Sequence, residues 1–65
     1  MYYHIKATNV TGWAFRPSKN EYWTIRLNGK MRCQVYANVN EMKGVVRDII
    51  NNDDKNPSKV SIRKG

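Results

Sequence analysis

Four stretches of the chain alternate between apolar and polar residues, a pattern that indicates half-buried β-strands. They cover residues 2–8, 21–27, 30–36 and 59–63. The segment Val10-Thr11-Gly12 interrupts the first of them, and we expect a bulge at Gly12 before Trp13-Ala14-Phe15. Residues 16–20 contain Pro17 and mostly polar side chains, which predict a turn before the second strand.

A period of three to four residues follows the third strand and predicts a helix. Asn38 can cap this helix, and Glu41 three residues later completes a capping box. The polar run 51–57, which ends in Asn56-Pro57, is expected to end the helix and form a loop. The apolar positions of the helix form one stripe: Val39, Met42, Val45, Val46, Ile49 and Ile50.

These elements predict a single α+β domain over residues 1–65, with the order β-β-β-α-β. A helix with one apolar stripe can cover one face of a small, mostly antiparallel sheet. The other face of such a sheet then stays open to solvent.

The Asn28-Gly29 pair decides which side chains reach the open side of the predicted sheet. A two-residue turn, which Asn-Gly favours, would set Leu27 opposite Lys30 and put charges on the apolar side. A three-residue loop over residues 27–29 separates apolar from polar residues, so we predict this loop. The pairs that it implies are Arg26–Lys30, Ile25–Met31, Thr24–Arg32, Trp23–Cys33 and Tyr22–Gln34.

The net charge adds a candidate function to this fold. Twelve Lys and Arg residues against five Asp and Glu residues give a net charge of +7, which implies an anionic partner. An ordinary solvated sheet face is the alternative interpretation, but the predicted open side carries no carboxylate, which favours binding. The predicted binding residues are Lys6, Tyr22, Arg26, Lys30, Arg32, Tyr36, Lys59 and Arg63.

Residues for catalysis or metal binding are few. Cys33 is the single cysteine and His4 the single histidine, so neither a disulfide within the chain nor a zinc site of four such ligands can form. Cys33 is interpreted as a small core residue, and Trp13, Phe15 and Trp23 as core or edge packing, with Trp13 as the best candidate for an exposed anchor. We expect no enzymatic activity, no metal and no cofactor.

The expected compartment is the cytoplasm. A free thiol without a disulfide is typical of a reducing compartment. The first residues lack the apolar run of a secretion signal, and no stretch has the length of a membrane span. The sequence therefore predicts no contact with a membrane.

Short motifs on both sides of the predicted helix follow one another in an order that can be compared with a known family. They are Gly12-Trp13, Asn20-Glu21, Tyr36-Ala37-Asn38-Val39-Asn40, Ile49-Ile50, Asp54-Lys55, Val60, and Arg63 before Gly65. In these motifs, which span most of the chain, the sequence resembles the Dmd antitoxin family of T-even phages. The resemblance implies a protein that binds and blocks host RNase toxins. The layout also resembles small phage inhibitors of host RNA polymerase.

Two functions are consistent with these observations. The first is a phage-encoded inhibitor or antitoxin that binds a host protein with an acidic surface, such as an RNase toxin or a nucleic-acid-handling enzyme. The second is direct binding of DNA or RNA by the basic, tyrosine-bearing side of the sheet. The sequence leaves both functions open, and the oligomeric state as well.

Overall fold

The computed structural model describes residues 1–53 and 59–65. Within them, one helix and five strands form: β1 (Tyr2–Ala7), β2 (Val10–Phe15), β3 (Trp23–Leu27), β4 (Lys30–Val35), α1 (Val39–Asp53) and β5 (Ser61–Lys64). The strands form one sheet in the order β4-β3-β2-β1-β5, and each neighbouring pair is antiparallel. The predicted α+β fold is confirmed, with one strand more than expected.

The additional strand is β2, which the sequence analysis interpreted as an interruption of the first strand. Thr8 and Asn9 form a tight turn instead, and Ala7 pairs with Val10 across it. The register then continues without a shift along the whole β1–β2 hairpin. The bulge predicted at Gly12 is therefore wrong.

Gly12 has a different role, because the backbone of β3 passes very close to it. A Cβ atom at this position would overlap the carbonyl oxygen of Arg26 and lie 2.9 Å from the Cα of Leu27. Any side chain at residue 12 would therefore push β2 and β3 apart.

Asn28 and Gly29 form a two-residue turn, so the predicted three-residue loop is wrong. Both have a positive φ, 52° and 79°, which Asn-Gly tolerates better than other residue pairs. Leu27 consequently pairs with Lys30. The Asn28 side chain also accepts a hydrogen bond from the Thr11 amide at 3.1 Å, which ties this turn to β2.

The predicted loop over residues 27–29 contained one residue more than the observed turn, and this additional residue lies in β4 instead. Arg26 pairs with Met31, and after a register shift Ile25 pairs with Cys33, which makes Arg32 the additional residue of a bulge. The bulge restores the alternation, so Cys33 still packs against the core. The next pairs are Thr24–Gln34 and Trp23–Val35, in place of the predicted Thr24–Arg32 and Trp23–Cys33.

The helix prediction is confirmed at its start and extended at its end. The Glu41 amide donates to Asn38 Oδ1 at 2.8 Å, and the Asn38 amide donates to Glu41 Oε1 at 3.3 Å, which completes the capping box. The helix continues to Asp53, beyond the predicted stop at residue 51; the rest of the predicted loop lies outside the described residues. No described helix has the length and apolar character needed to cross a membrane.

The core lies between the helix and one side of the sheet. Its partly buried margin includes Val60 and Ile62, which face inward as predicted, although β5 begins at Ser61 rather than at residue 59. The buried apolar residues come from β1, β2, β3 and α1: Tyr3, Ile5, Ala14, Trp23, Ile25, Leu27, Met42, Val46 and Ile50.

A buried arginine joins this sheet to the start of the helix. The guanidinium carbon of Arg16 lies 4.4 Å from the Trp23 ring centroid. The carbonyl oxygen of Ala37 accepts hydrogen bonds from Arg16 Nη1 at 3.0 Å and from Trp23 Nε1 at 2.8 Å. Since Ala37 precedes the helix cap, these two bonds fix where the helix starts above the sheet.

A pair of glycine substitutions tests the close approach at Gly12. Gly12→Ala should lower stability by roughly 1–3 kcal/mol, because the new methyl group overlaps the β3 backbone. Gly44→Ala meets open space and should raise stability by about 1 kcal/mol, because alanine favours the helix. Thermal unfolding followed by circular dichroism measures both, and equal melting temperatures for the two variants would contradict the predicted packing.

A second pair tests the buried arginine. Arg16→Ala removes a charged donor to the Ala37 carbonyl and should cost about 1.5–3 kcal/mol. Arg47→Ala, which removes an exposed helix arginine, should change stability by less than about 0.5 kcal/mol. Urea unfolding compares the two variants. The role assigned to Arg16 is wrong if their midpoints agree.

Candidate functional site

The strand pairing defines the side of the sheet that the helix leaves uncovered. Residues directly opposite each other on paired strands share a side, and the partners of the buried residues are assigned to the core side. We call the other side the open face. Its strand residues are Tyr2, His4, Lys6, Thr11, Trp13, Phe15, Thr24, Arg26, Met31, Gln34, Ser61 and Arg63.

One row of paired residues crosses the middle of the open face from β5 to β3. Arg63 pairs with His4, His4 with Trp13, and Trp13 with Arg26. The guanidinium carbon of Arg26 lies 5.9 Å from the Trp13 ring centroid, and Arg26 Nη2 donates to the Gly29 carbonyl at 2.9 Å. The row therefore holds two rings between two cations.

Further aromatic rings surround this row. The Tyr2 ring is stacked with Trp13 at a centroid distance of 6.0 Å and meets His4 edge-on at 4.8 Å. Beyond the strand ends, Tyr22 and Tyr36 pack edge to face at 5.5 Å. Phe15, Tyr22 and Tyr36 are 40%, 59% and 62% exposed, so each of these rings is accessible to a partner.

The charges on the open face all have the same sign. Lys6, Arg26 and Arg63 are exposed on it. Among the described residues, none of its positions is a carboxylate. Next to the aromatic residues, an open groove of about 370 Å³ is lined by His4, Lys6, Ser61 and Arg63.

Searches of protein-family models, curated proteins and solved structures found no significant match to this chain. The resemblance to the Dmd antitoxins therefore stays a prediction. So does the expectation that the target is a host protein.

The described residues contain no group of three His, Cys, Asp or Glu side chains placed to hold a metal ion. Burial raises the pKa of the Cys33 thiol, and the neighbouring Arg32 lowers it by a smaller amount. At neutral pH the protonated form therefore dominates, which makes Cys33 a weak nucleophile. Its place against the core agrees with its interpretation as a small packing residue.

The structure places three of the eight predicted binding residues on the open face: Lys6, Arg26 and Arg63. Tyr22 and Tyr36 lie beyond the ends of β3 and β4 and contact each other there.

Three predicted binding residues lie elsewhere. Lys30 pairs with buried Leu27, which places it on the core side of the sheet, and the bulge residue Arg32 lines the same concavity as Lys30. Their prediction on the open face is wrong because it depended on the three-residue loop. Lys59 is exposed but precedes β5, outside the sheet.

Trp13 and Phe15 lie on the open face although both were interpreted from the sequence as core or edge packing; Trp13 was also the best candidate for an exposed anchor. Their strand alternates small residues with large ones, and the small residues Gly12 and Ala14 face the core while the rings face outward. Size alone favoured the opposite assignment, because large apolar side chains are usually buried. The polar Thr8-Asn9 pair between two strand-like stretches is the signal that could have revealed the hairpin.

A concavity of about 690 Å³ lies away from the row of rings, at the start of the helix. Arg16 is 6% exposed within its wall, and its donors already bond the Ala37 carbonyl and Met1 Sδ. Because these donors are committed to the fold, the open face is the better candidate for binding.

Fluorescence quenching tests the placement and charge of the open face. Trp13 is half-buried there while Trp23 is 0% exposed, so the quenchable emission should come from Trp13. Relative to their quenching of free tryptophan, iodide should quench it more strongly than caesium, because the surrounding cations attract anions. Trp13→Phe should remove most of the difference. Stronger quenching by caesium would contradict the charge assigned to this face.

Proposed function

We propose that this protein is a non-enzymatic nucleic-acid-binding protein and that it binds through the open face. The observation that carries the proposal is the row Arg63–His4–Trp13–Arg26, in which two rings lie between two cations. Nucleic acid offers the complementary chemistry, because its phosphates attract arginine and lysine and its bases stack on aromatic rings.

The distribution of charge supports this proposal more than the net charge does. A solvated sheet face usually mixes both signs, whereas the described acidic residues lie in the turn before β3 and on the helix, as Glu21, Glu41, Asp48 and Asp53. A polyanion that approached the open face would meet Lys6, Arg26 and Arg63 without a neighbouring carboxylate. Such a surface accelerates and strengthens association with phosphates at low salt.

A second candidate function is an inhibitor or antitoxin that binds a host protein. The observation that favours it is Met31, a 56% exposed apolar residue on β4, the strand at one edge of the sheet. Exposed methionine adapts to apolar partner surfaces, and an edge strand can pair with a strand of another chain. The aromatic row is central and the edge peripheral, so we rank nucleic-acid binding first.

Fluorescence anisotropy with a labelled oligonucleotide of about 20 nucleotides tests the first proposal. Three phosphate contacts, by Lys6, Arg26 and Arg63, predict a slope of about −2 for log affinity against log salt. Affinity should then fall about 20-fold between 50 and 200 mM salt. Arg26→Ala should weaken binding and reduce the slope by about 0.7.

Arg47→Ala is the matched control, because it removes the same charge from the exposed surface of the helix. It should leave the affinity and the slope unchanged. Equal losses for the two variants would contradict a site on the open face. An absence of binding at about 50 mM salt, with a host protein captured from lysate after nuclease treatment, would favour the second candidate.

A further inference from the structure

We propose that the open face binds single-stranded DNA or RNA in preference to a duplex. The inference rests on the proposed function and specifies which form of nucleic acid the protein binds. It follows from the width of the sheet, the spacing of the rings and the charges on the helix.

The open face as a whole is too wide to enter the groove of undistorted B-form DNA. Five paired strands, each about 4.8 Å from the next, span roughly 19 Å. The major groove of B-form DNA is about 12 Å wide and admits a helix or a two-stranded ribbon. An undistorted duplex that lies across the full width of the open face therefore contacts it mainly with phosphates, and its stacked bases do not cover the aromatic rings.

The spacing of the aromatic rings on β2 also favours a single strand. Trp13 and Phe15 are two residues apart on β2, so their Cα atoms are separated by roughly 6.8 Å. Successive nucleotides of a duplex rise only about 3.4 Å and keep their bases stacked on each other. Adjacent bases can reach both rings only if the strand is stretched and unstacked, which a single strand permits.

The cations of the open face lie where the backbone of such a strand would need them. Lys6 and Arg63 line the groove beside the rings, together with His4 and Ser61. Arg26 lies on the other side of Trp13. A base stacked on Trp13 would thus have positive charge on both sides for its phosphates.

The helix does not offer an alternative surface for reading a duplex. Its solvent side carries Glu41 and Asp48 beside Arg47. A helix that lies in a major groove is close to phosphates on both of its sides, and these carboxylates would repel them. Binding of a duplex by this protein would therefore depend on the open face as well.

The test compares one labelled sequence of about 12 nucleotides as single-stranded DNA, as single-stranded RNA and as duplex DNA, at about 50 mM salt. At least one single strand should bind the unmodified protein tenfold or more tightly than the duplex does. Comparing the single-stranded DNA with the single-stranded RNA shows which of the two the open face prefers.

The Trp13→Ala variant separates the contribution of base stacking to affinity from the contribution of charge. The loss of one stacked base, worth about 1–3 kcal/mol, should weaken single-strand binding roughly 5- to 150-fold and duplex binding less than twofold. Arg26→Ala should weaken both, and Arg47→Ala neither. Circular dichroism checks that each variant is folded; Phe15→Ala, which truncates a 40% exposed ring, replaces Trp13→Ala if that variant is not.

The outcomes distinguish this inference from the proposed function. If the duplex binds as tightly as both single strands, or if the ring variants weaken all the ligands equally, the inference is wrong and nucleic-acid binding stands. If none of the three ligands binds, both are wrong.

Discussion

The carbonyl group of Ala37 is the point on which the rest of the structure depends. It accepts hydrogen bonds from Trp23, at the start of β3, and from Arg16, just after β2. A buried guanidinium is costly unless it is hydrogen-bonded, and Arg16 is also held by the Trp23 ring and by Met1. These contacts commit the helix to one side of the sheet and leave the other side uncovered.

The small residues of β2 explain why its aromatic rings lie on the side of the sheet that the helix leaves uncovered. On the core side, Gly12 allows the β3 backbone to approach and Ala14 is completely buried. The space beneath the helix is filled by Met42, Val46 and residues of β1 and β3. A tryptophan or phenylalanine ring in place of Gly12 or Ala14 would overlap these neighbours. The alternation of the strand therefore places Trp13 and Phe15 on the open face.

The helix could be predicted from the sequence because its signals are local: the capping pair Asn38 and Glu41 and one apolar stripe. The register of β3 with β4 depends on a single extra residue. A three-residue loop and a two-residue turn followed by a bulge give Cys33 the same side, so the hydrophobic pattern does not distinguish them. They differ for Lys30 and Met31, which exchange sides, and for Arg32, which becomes the bulge residue; these differences account for the wrong placement of Lys30 and Arg32 in the predicted site.

The corrected register alters the chemistry of the open face as well as its membership. Lys30 and Arg32 leave the open face and Met31 joins it through this register, while the β1–β2 hairpin adds Trp13 and Phe15, so the face has fewer cations and more apolar surface than the sequence alone predicted. A face dominated by cations would attract any polyanion, whereas exposed rings gain free energy only from a partner that can cover them. A net charge of +7 on 65 residues also repels itself, and an anionic partner relieves that repulsion. A partner with both phosphates and accessible bases neutralises the cations and covers the exposed rings at one surface. A flexible nucleic acid strand therefore complements this face better than an anionic partner that has no rings to stack on it.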